Sequence, residues 1–417
     1  MSETPVVPVG QHAPHRPAHR DPNVLRWLGA YASSMVGDNV YYLALSWAAV
    51  QAGSPAQAGI VMSVSALPRA VLMLAGGVIA DRWGPRRVVI GSDAVRCAAV
   101  LAVTALLFLT SPGLWPLALL ALVFGTVDAV FMPAVGALPA RITGTDQLAR
   151  VHGMRGLAIR FASIVGAPLG GLGVALGGAA TAFALAGLLI AISVPLLMSV
   201  RVRDLPAAEA AAPRGTPRSD LAAGLRYIRG HRVLAPLMLA IALGDFGFVG
   251  PLNVGLTLLA DQRGWGASGM GAVLAGFGAG AGAISLLLTV RGRLPRAGLV
   301  AGYAILTGSV AIGALAFVHG LAAAVGVALL VGLLAGLSGA MCGALLQTQT
   351  DPAYLGRVTA VSGLVSLGLA PLSMPVAAAA IEAWGLGPVY VVSAAVCGLG
   401  GVVALAVPAL RRAELPR

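Results

Sequence analysis

The stretch that decides the fold reads Gly77-Val78-Ile79-Ala80-Asp81-Arg82-Trp83-Gly84-Pro85-Arg86-Arg87, a short charged segment between two long apolar runs. A charged turn in this setting is typical of a tight loop on the positive side of a membrane, joining two spanning helices. Gly77 and Gly84 allow the backbone to bend and the helix ends to approach closely. Asp81 can accept hydrogen bonds from a neighbouring helix N-terminus or from an arginine. We expect Arg82, Arg86 and Arg87 to face the cytosol and anionic lipid headgroups.

The composition indicates a polytopic membrane protein. Of the 417 residues, 58% are hydrophobic and only 10% are charged, whereas a soluble domain carries about 25% charged residues. At roughly 20–25 residues per span plus short loops, the length accommodates about twelve helices that cross a bilayer, so the lipid bilayer is the first predicted partner.

The net charge of +12 is carried by arginine, because the 27 basic residues include no lysine. Most of these arginines lie in the tails and in alternate short loops, and the loops on the other side carry only Arg263. This asymmetry predicts that both termini are cytosolic in a bacterial plasma membrane. It excludes a nucleic-acid partner as the reason for the charge, because the arginines are not collected on one face.

The chain divides into two halves of six predicted spans. The first half covers residues 24–200 and the second covers 233–410, with a cytosolic linker at 201–232 that is rich in Ala, Pro and Arg. Residues 1–23 and 411–417 are predicted tails. Gly37-Asp38 in the first span and Gly244-Asp245 in the seventh form a faint internal repeat, and parallel repeats in transporters place a site at the interface of the halves. We expect a monomer.

The order G-x-x-x-D-R-x-G-x-R-R resembles the signature of the major facilitator superfamily between its second and third helices. The resemblance implies an all-α membrane protein with twelve transmembrane helices in two six-helix halves, which transports a solute by alternating access. Further stretches look like one branch of that superfamily, the bacterial drug and siderophore exporters that include macrolide efflux pumps and the enterobactin exporter. They include Gly37–Trp47, Phe131–Pro139, Ile164–Gly171, Gly224–Ile228 and Gly356–Val358.

The fifth predicted span carries a glycine-proline motif that this resemblance assigns to gating, formed by Gly166, Pro168, Gly170 and Gly171. In antiporters of the superfamily the motif is commonly G-P-x-x-G-G. Here Ala167 separates the first glycine from the proline, and this departure is shared with the exporter branch.

Four charges are predicted near mid-span: Asp38, Arg69, Asp128 and Asp245. A charge at the bilayer centre costs about 2.5–3.5 kcal/mol on insertion scales, so it is usually paired or lines a cavity. The resemblance places their helices at or near the central cavity, and we assign all four to proton coupling. Asp38 is the first candidate for the proton carrier, because a low-dielectric cavity favours the neutral form of a carboxyl group.

Aromatic residues share a face with these aspartates and are predicted to contact the substrate. Tyr41 and Tyr42 follow Asp38 by three and four positions, which places all of them on one side of a helix. Asp128, the second candidate proton carrier, has Phe124, Phe131 and Met132 on its face. Asp38 and Asp128 are themselves predicted to contact the substrate.

Arg69 could neutralise either Asp38 or Asp128, with substrate or proton competing for the pair. The alternative is a structural ion pair that only fixes helix packing and carries no protons. Asp93 and Arg96 lie one turn apart near the predicted inner end of the third span. With Asp81 and the loop arginines they are predicted to form an inner gate, although an ordinary i, i+3 pair would also explain them.

Enzymatic motifs are absent from the sequence: there is no lysine for a phosphate-binding loop, no His-Glu-x-x-His and no Gly-x-Ser-x-Gly. We therefore expect no enzyme activity, no cofactor and no metal site. The sequence predicts a secondary active exporter of amphipathic organic compounds, such as an antibiotic or a siderophore, in exchange for protons. The alternatives are a proton-coupled nutrient symporter and a lipid-handling or sensor protein without ion coupling.

Overall fold

The computed structural model describes residues 17–110, 113–144, 147–202, 217–291, 296–351 and 354–415, and every regular element within these ranges is a helix. Residues 1–16 of the predicted tail 1–23 lie outside the described residues. The same is true of the linker from 203 to 216 and of residues 416–417.

The N-terminal half is built from five long helices: α1 (Pro22–Ala52), α2 (Pro55–Trp83), α3 (Pro85–Leu109), α4 (Trp115–Ile142) and α5 (Leu148–Met198). The first four have a proline in their first turn, where its missing N–H removes no helical hydrogen bond. Ser54 and Gln57 add a reciprocal capping box at the start of α2. These signals fix where the helices begin. The charged stretch at residues 77–87, expected as a loop, is helical on both sides of Gly84, which alone joins α2 to α3.

α5 contains two of the predicted membrane spans, which follow each other with a kink and no intervening loop. Its 51 residues would extend about 76 Å, more than twice the thickness of a bilayer core of about 30 Å. The helix breaks at Gly177 and Gly178, whose backbone angles are not helical, with φ of 75° at Gly178. This break divides α5 into two arms, each long enough to cross a bilayer.

The C-terminal half begins with the short helix α6 (Pro217–Gly230), which lies inside the stretch predicted as a linker and packs on α12. It continues with α7 (Leu234–Gly250), a π-helical turn (Pro251–Gly255), α8 (Leu256–Gln262), α9 (Gly266–Arg291) and α10 (Ala297–Leu315). It ends with α11 (Leu321–Gln349), α12 (Leu355–Trp384), α13 (Leu386–Ala406) and the single turn α14 (Pro408–Arg411). α7 and α8 form one continuous span, since Pro251 only widens the helix at the π turn.

Nine helices in the described part of the chain are long and apolar enough to cross a membrane, when α5 is counted once and α7 with α8 as one. α1 and α2 have 31 and 29 residues and are as long as the others. With these two and both arms of α5, the helices are consistent with twelve crossings, and the all-α membrane fold expected from the sequence is confirmed.

The two halves pack together through α5 against α9 and through α2 against α12. Hydrogen bonds also join them at the end of the molecule opposite residues 77–87. Ser46 Oγ on α1 lies 2.5 Å from Thr257 Oγ1, and Gln51 Nε2 donates to Asp261 Oδ1 at 2.7 Å. Glu382 on α12 accepts hydrogen bonds from the first turn of α2 at 3.0 and 3.2 Å. This end of the interface between the halves is therefore closed.

Candidate functional site

The centre of the N-terminal half is the guanidinium group of Arg96, which is completely buried in the middle of α3. Its Nη1 donates to both carboxylate oxygens of Asp38 on α1, at 2.8 and 3.1 Å, and to Asp128 Oδ1 on α4 at 3.1 Å. Its Nη2 donates to Asp93 one turn earlier and to Ser34 Oγ at 3.3 Å. The planar fork of an arginine can reach several carboxylates at once, so one side chain connects three helices.

Asp93 extends this network to a fourth helix. It is fully buried and accepts hydrogen bonds from Arg96, from Ser34 Oγ at 3.1 Å and from Ser193 Oγ on the second arm of α5. Both of its oxygens therefore have protein donors, as a buried carboxylate requires.

Asp128 is the point at which the network approaches the surface. Tyr42 Oη donates to Asp128 Oδ2 at 3.1 Å, and Arg69 Nη1 on α2 lies 3.8 Å from the same oxygen. The side chain of Arg69 is 27% exposed, compared with 11% for Asp38, 9% for Asp128 and none for Arg96. The exposed part of the network therefore lies at Arg69, whereas the guanidinium group at its centre has no exposed surface.

Aromatic rings enclose the network. Phe131 lies under the guanidinium group of Arg96, with its ring centroid 4.1 Å from Cζ, a contact that stabilises a desolvated cation. Tyr41 stacks on Phe124 with ring centroids 3.6 Å apart and an angle of 16° between the planes. Stacked rings and a cation over a ring face therefore pack around the charged groups.

These positions correct the substrate contacts expected from the sequence. Tyr41, Phe124 and Phe131 are at most 1% exposed, so in this conformation a substrate cannot touch them. Tyr42 is half-buried and bound to Asp128, and only Met132 is well exposed. The shared helical face was identified correctly, but that face points into the packed bundle.

The structure also places Arg96 and Asp93 differently from the sequence interpretation. They were assigned to an inner gate, but their contacts described above are with α1, α4 and α5 in the core of the half. Arg69 pairs with Asp128, while Asp38 takes Arg96 as its partner. Position 96 lies close to the midpoint of α3, 85–109, and that spacing alone could have identified a mid-span cation.

The charged loop anchors the end of α5. Gly84 has φ of 83°, a left-handed conformation that favours glycine, and it turns the chain from α2 into α3. Arg86 then donates to the carbonyl oxygens of Leu197 and Met198 at 3.5 and 2.5 Å, which satisfies acceptors at a helix C-terminus. Arg82 and Arg87 are exposed. The surroundings of Gly77 and of the Asp81 side chain are not described, so the gating roles of these two residues stay predictions.

The glycine-proline motif of α5 lies between the halves. A Cβ atom at Gly166 would be 2.5 Å from Asn39 Cβ on α1, and one at Gly171 would be 2.5 Å from the Ala267 carbonyl oxygen on α9. Gly170 faces Val40 on α1, and Pro168 lies beside the backbone of α9. Glycine at positions 166 and 171 allows α5 to lie this close to α1 and α9. The gating role of the motif stays a prediction, which its position between these helices favours.

Asp245 has different surroundings from Asp38, its counterpart in the repeat. It lies half-buried on α7 and accepts a hydrogen bond from Ser366 Oγ on α12 at 2.6 Å. The structure brings Asp38, Asp93, Asp128, Arg69 and Arg96 together and leaves Asp245 in the other half. Among the described residues, no group of three or more His, Cys, Asp or Glu side chains is placed to hold a metal ion.

Long apolar helices in two halves, with buried charges inside one of them, define a polytopic membrane protein of the transporter class. The model of the Major Facilitator Superfamily matches residues 27–371, and the chain belongs to this family. It is therefore a transport protein and not an enzyme.

Two curated relatives are exporters of this family. The chain is 28% identical to the multidrug efflux pump Tap of Mycobacterium bovis over 413 residues, which is 93% of this chain and 94% of that protein. It is 26% identical to the enterobactin exporter EntS of Shigella boydii over 343 residues, which is 79% of this chain and 80% of that protein. Among solved structures, the nucleoside transporter NupG shares the fold with a TM-score of 0.72 at 13% identity, covering 93% of this chain and 100% of NupG.

Proposed function

We propose that this chain is a secondary active exporter of amphipathic organic compounds that exchanges its substrate for protons. It operates in a bacterial plasma membrane with both termini in the cytosol, as the distribution of its arginines favours. The two exporter relatives support the direction of transport, and the charge network of the N-terminal half supports the coupling to protons.

The observation that carries the proposal is the excess of carboxylates in this network. Among the described side chains, Asp38, Asp93 and Asp128 face two guanidinium groups, those of Arg69 and Arg96. If every group is ionised, one negative charge remains in a buried region, where an uncompensated charge is costly. A single proton removes that charge, so the network is suited to bind one proton in one state and to release it in another.

The exposed fractions of the three carboxylates indicate which of them exchange this proton. Asp93 is saturated with donors and has no exposed surface, whereas Asp38 and Asp128 keep a small exposed fraction. Protonation of either one weakens a link from Arg96 to α1 or to α4, which allows these helices to shift. We infer that a proton arriving from outside neutralises Asp38 or Asp128, favours the inward-open state and leaves when substrate is loaded.

The test begins with a susceptibility panel of neutral and cationic amphipathic antibiotics on cells that express the protein, which identifies a transported compound. Flux of that compound is then measured in proteoliposomes under an imposed pH gradient. Wild type and the exposed-charge control Glu414→Gln are expected to move the compound in the direction opposite to proton flow down the imposed gradient. We expect Asp38→Asn or Asp128→Asn to lose gradient-driven flux by at least about tenfold, equivalent to about 1.4 kcal/mol.

Three outcomes would remove the proposal. Flux that is indifferent to the gradient would exclude antiport and leave a transporter or sensor without ion coupling. Movement of compound together with protons would identify a symporter. Unchanged gradient-driven flux in both asparagine variants would show that the network only holds the helices together.

A further inference from the structure

The C-terminal half contains a cavity of about 400 Å³ that the charge network does not reach. It lies between α7, α10, α11, α12 and α13, and its wall is mainly apolar with a few hydroxyl and thiol groups. This volume is within the range of about 300–1,000 Å³ that is common for sites of small organic ligands. The wall of the cavity includes Gly244, Asp245, Phe248, Gly339 and Ser366.

Asp245 supplies the one carboxylate on this wall. Its carboxylate accepts a hydrogen bond from Ser366 Oγ at 2.6 Å. Among the described residues, no arginine or histidine nitrogen lies within 4.0 Å of its carboxylate oxygens. Asp38 in the other half has the guanidinium group of Arg96 at 2.8 Å. The repeat thus preserves the carboxylate in the second half and leaves out its cation.

The cavity has room for a ligand beside this carboxylate. A Cβ atom added at Gly244 or at Gly339 would meet no other atom within 4 Å, so the backbone at these positions borders open space. Phe248 lies on the same wall with its ring 5.7 Å from that of Phe277, and aromatic rings favour cationic and apolar groups alike.

We propose that this cavity binds the cationic group of a lipophilic substrate, with Asp245 as its counter-ion and Phe248 and the glycine-lined wall around its apolar body. An unpaired charge in an apolar region is costly, and a positive ligand beside Asp245 would compensate the charge of its ionised carboxylate. The proposal deepens the transport function proposed above, since it names lipophilic monocations as the substrate class.

The probes are tetraphenylphosphonium and tetraphenylborate, which have nearly the same size and opposite charge. Equilibrium dialysis of the purified wild-type protein in detergent is expected to show saturable binding of the cation and at least tenfold weaker binding of the anion. Asp245→Asn should weaken binding of the cation by about tenfold, equivalent to about 1.4 kcal/mol. Asp245→Glu should retain binding, and Glu414→Gln, which removes an exposed charge elsewhere, should leave it unchanged.

A second variant locates the site without altering a charge. Gly339→Leu fills open space in the cavity and is expected to weaken binding of the cation while thermal stability is maintained. Equal binding of both probes, or wild-type cation affinity in both Asp245→Asn and Gly339→Leu, would overturn the proposal. If the cation does not bind in the cavity but pH-driven flux of another compound is observed, the proposed exporter function stands and the cation site is excluded. If the cation binds but no compound shows pH-driven flux, the cation site stands and the proposed coupling to protons is excluded.

Discussion

Arg96 on α3 donates to both carboxylate oxygens of Asp38 on α1, at 2.8 and 3.1 Å, in a region where the arginine has no exposed surface. A pair this deeply buried is costly to form and more costly to break from one side. The same guanidinium group contacts Asp128 on α4. The protonation state of either aspartate therefore changes how firmly α3 is attached to its neighbours, and this links proton binding to helix movement.

Replacement of Arg96 by methionine is expected to lower stability by about 3–5 kcal/mol, because three buried carboxylates lose their shared cation. The double variant Arg96→Met with Asp38→Asn should recover part of that loss, since one uncompensated charge is removed. Thermal unfolding in detergent measures both effects. Arg160→Met, at an exposed position on α5, is the control and should change stability by no more than about 0.5 kcal/mol. Equal losses in the single and double variants would argue against electrostatic coupling.

Tyr42→Phe removes the hydroxyl group that donates to Asp128 at 3.1 Å. Because Asp128 loses one of its hydrogen-bond donors, the pH profile of gradient-driven transport should be shifted relative to that of wild type. The initial rate of gradient-driven flux, measured over a pH series, detects this shift. Tyr303→Phe on the exposed face of α10 should leave the profile in place, and an identical profile for both variants would exclude Asp128 from the proton path.

The packing of α2 on α4 depends on a glycine. A Cβ atom at Gly125 would lie 2.0 Å from the carbonyl oxygen of Ser65, whereas one at Gly136 on the same helix would meet nothing within 4 Å. Gly125→Ala should therefore cost about 1–3 kcal/mol through overpacking. Gly136→Ala should be neutral or stabilising by up to about 1 kcal/mol, since alanine favours a helix. Unfolding temperatures of the two variants in one detergent make the comparison, and equal shifts would contradict this packing.

Alternating access requires the closed end of the interface to open during transport. In a background without Cys97, Cys342 and Cys397, the pair Ser46→Cys and Thr257→Cys should form a disulfide between the halves, because the two native hydroxyl oxygens are 2.5 Å apart. Oxidation should stop flux and a reductant should restore it, while each single cysteine variant remains active. Full flux in the cross-linked protein would mean that this end does not open.

The sequence predicted the architecture well because its signals are local. The long apolar runs and the charged stretch at residues 77–87 each indicate a helix or a turn within a few residues, whereas the proline starts and the Gly177-Gly178 break became evident only in the structure. The identity of charge partners was harder, since Arg69 and Arg96 both lie on apolar helices and only packing decides which aspartate each one reaches. Burial of Tyr41 and Phe131 was missed for a related reason: helical spacing tells which residues share a face but not whether that face borders a cavity or another helix.

Infrared difference spectroscopy of the purified protein between high and low pH tests the central claim most directly, because a protonated carboxyl group has a C=O stretching band of its own. The account predicts such a band in wild type and in Glu414→Gln, and its loss or displacement in Asp38→Asn or Asp128→Asn. An unchanged band in both of these variants would contradict the assignment of the coupling proton to the network around Arg96.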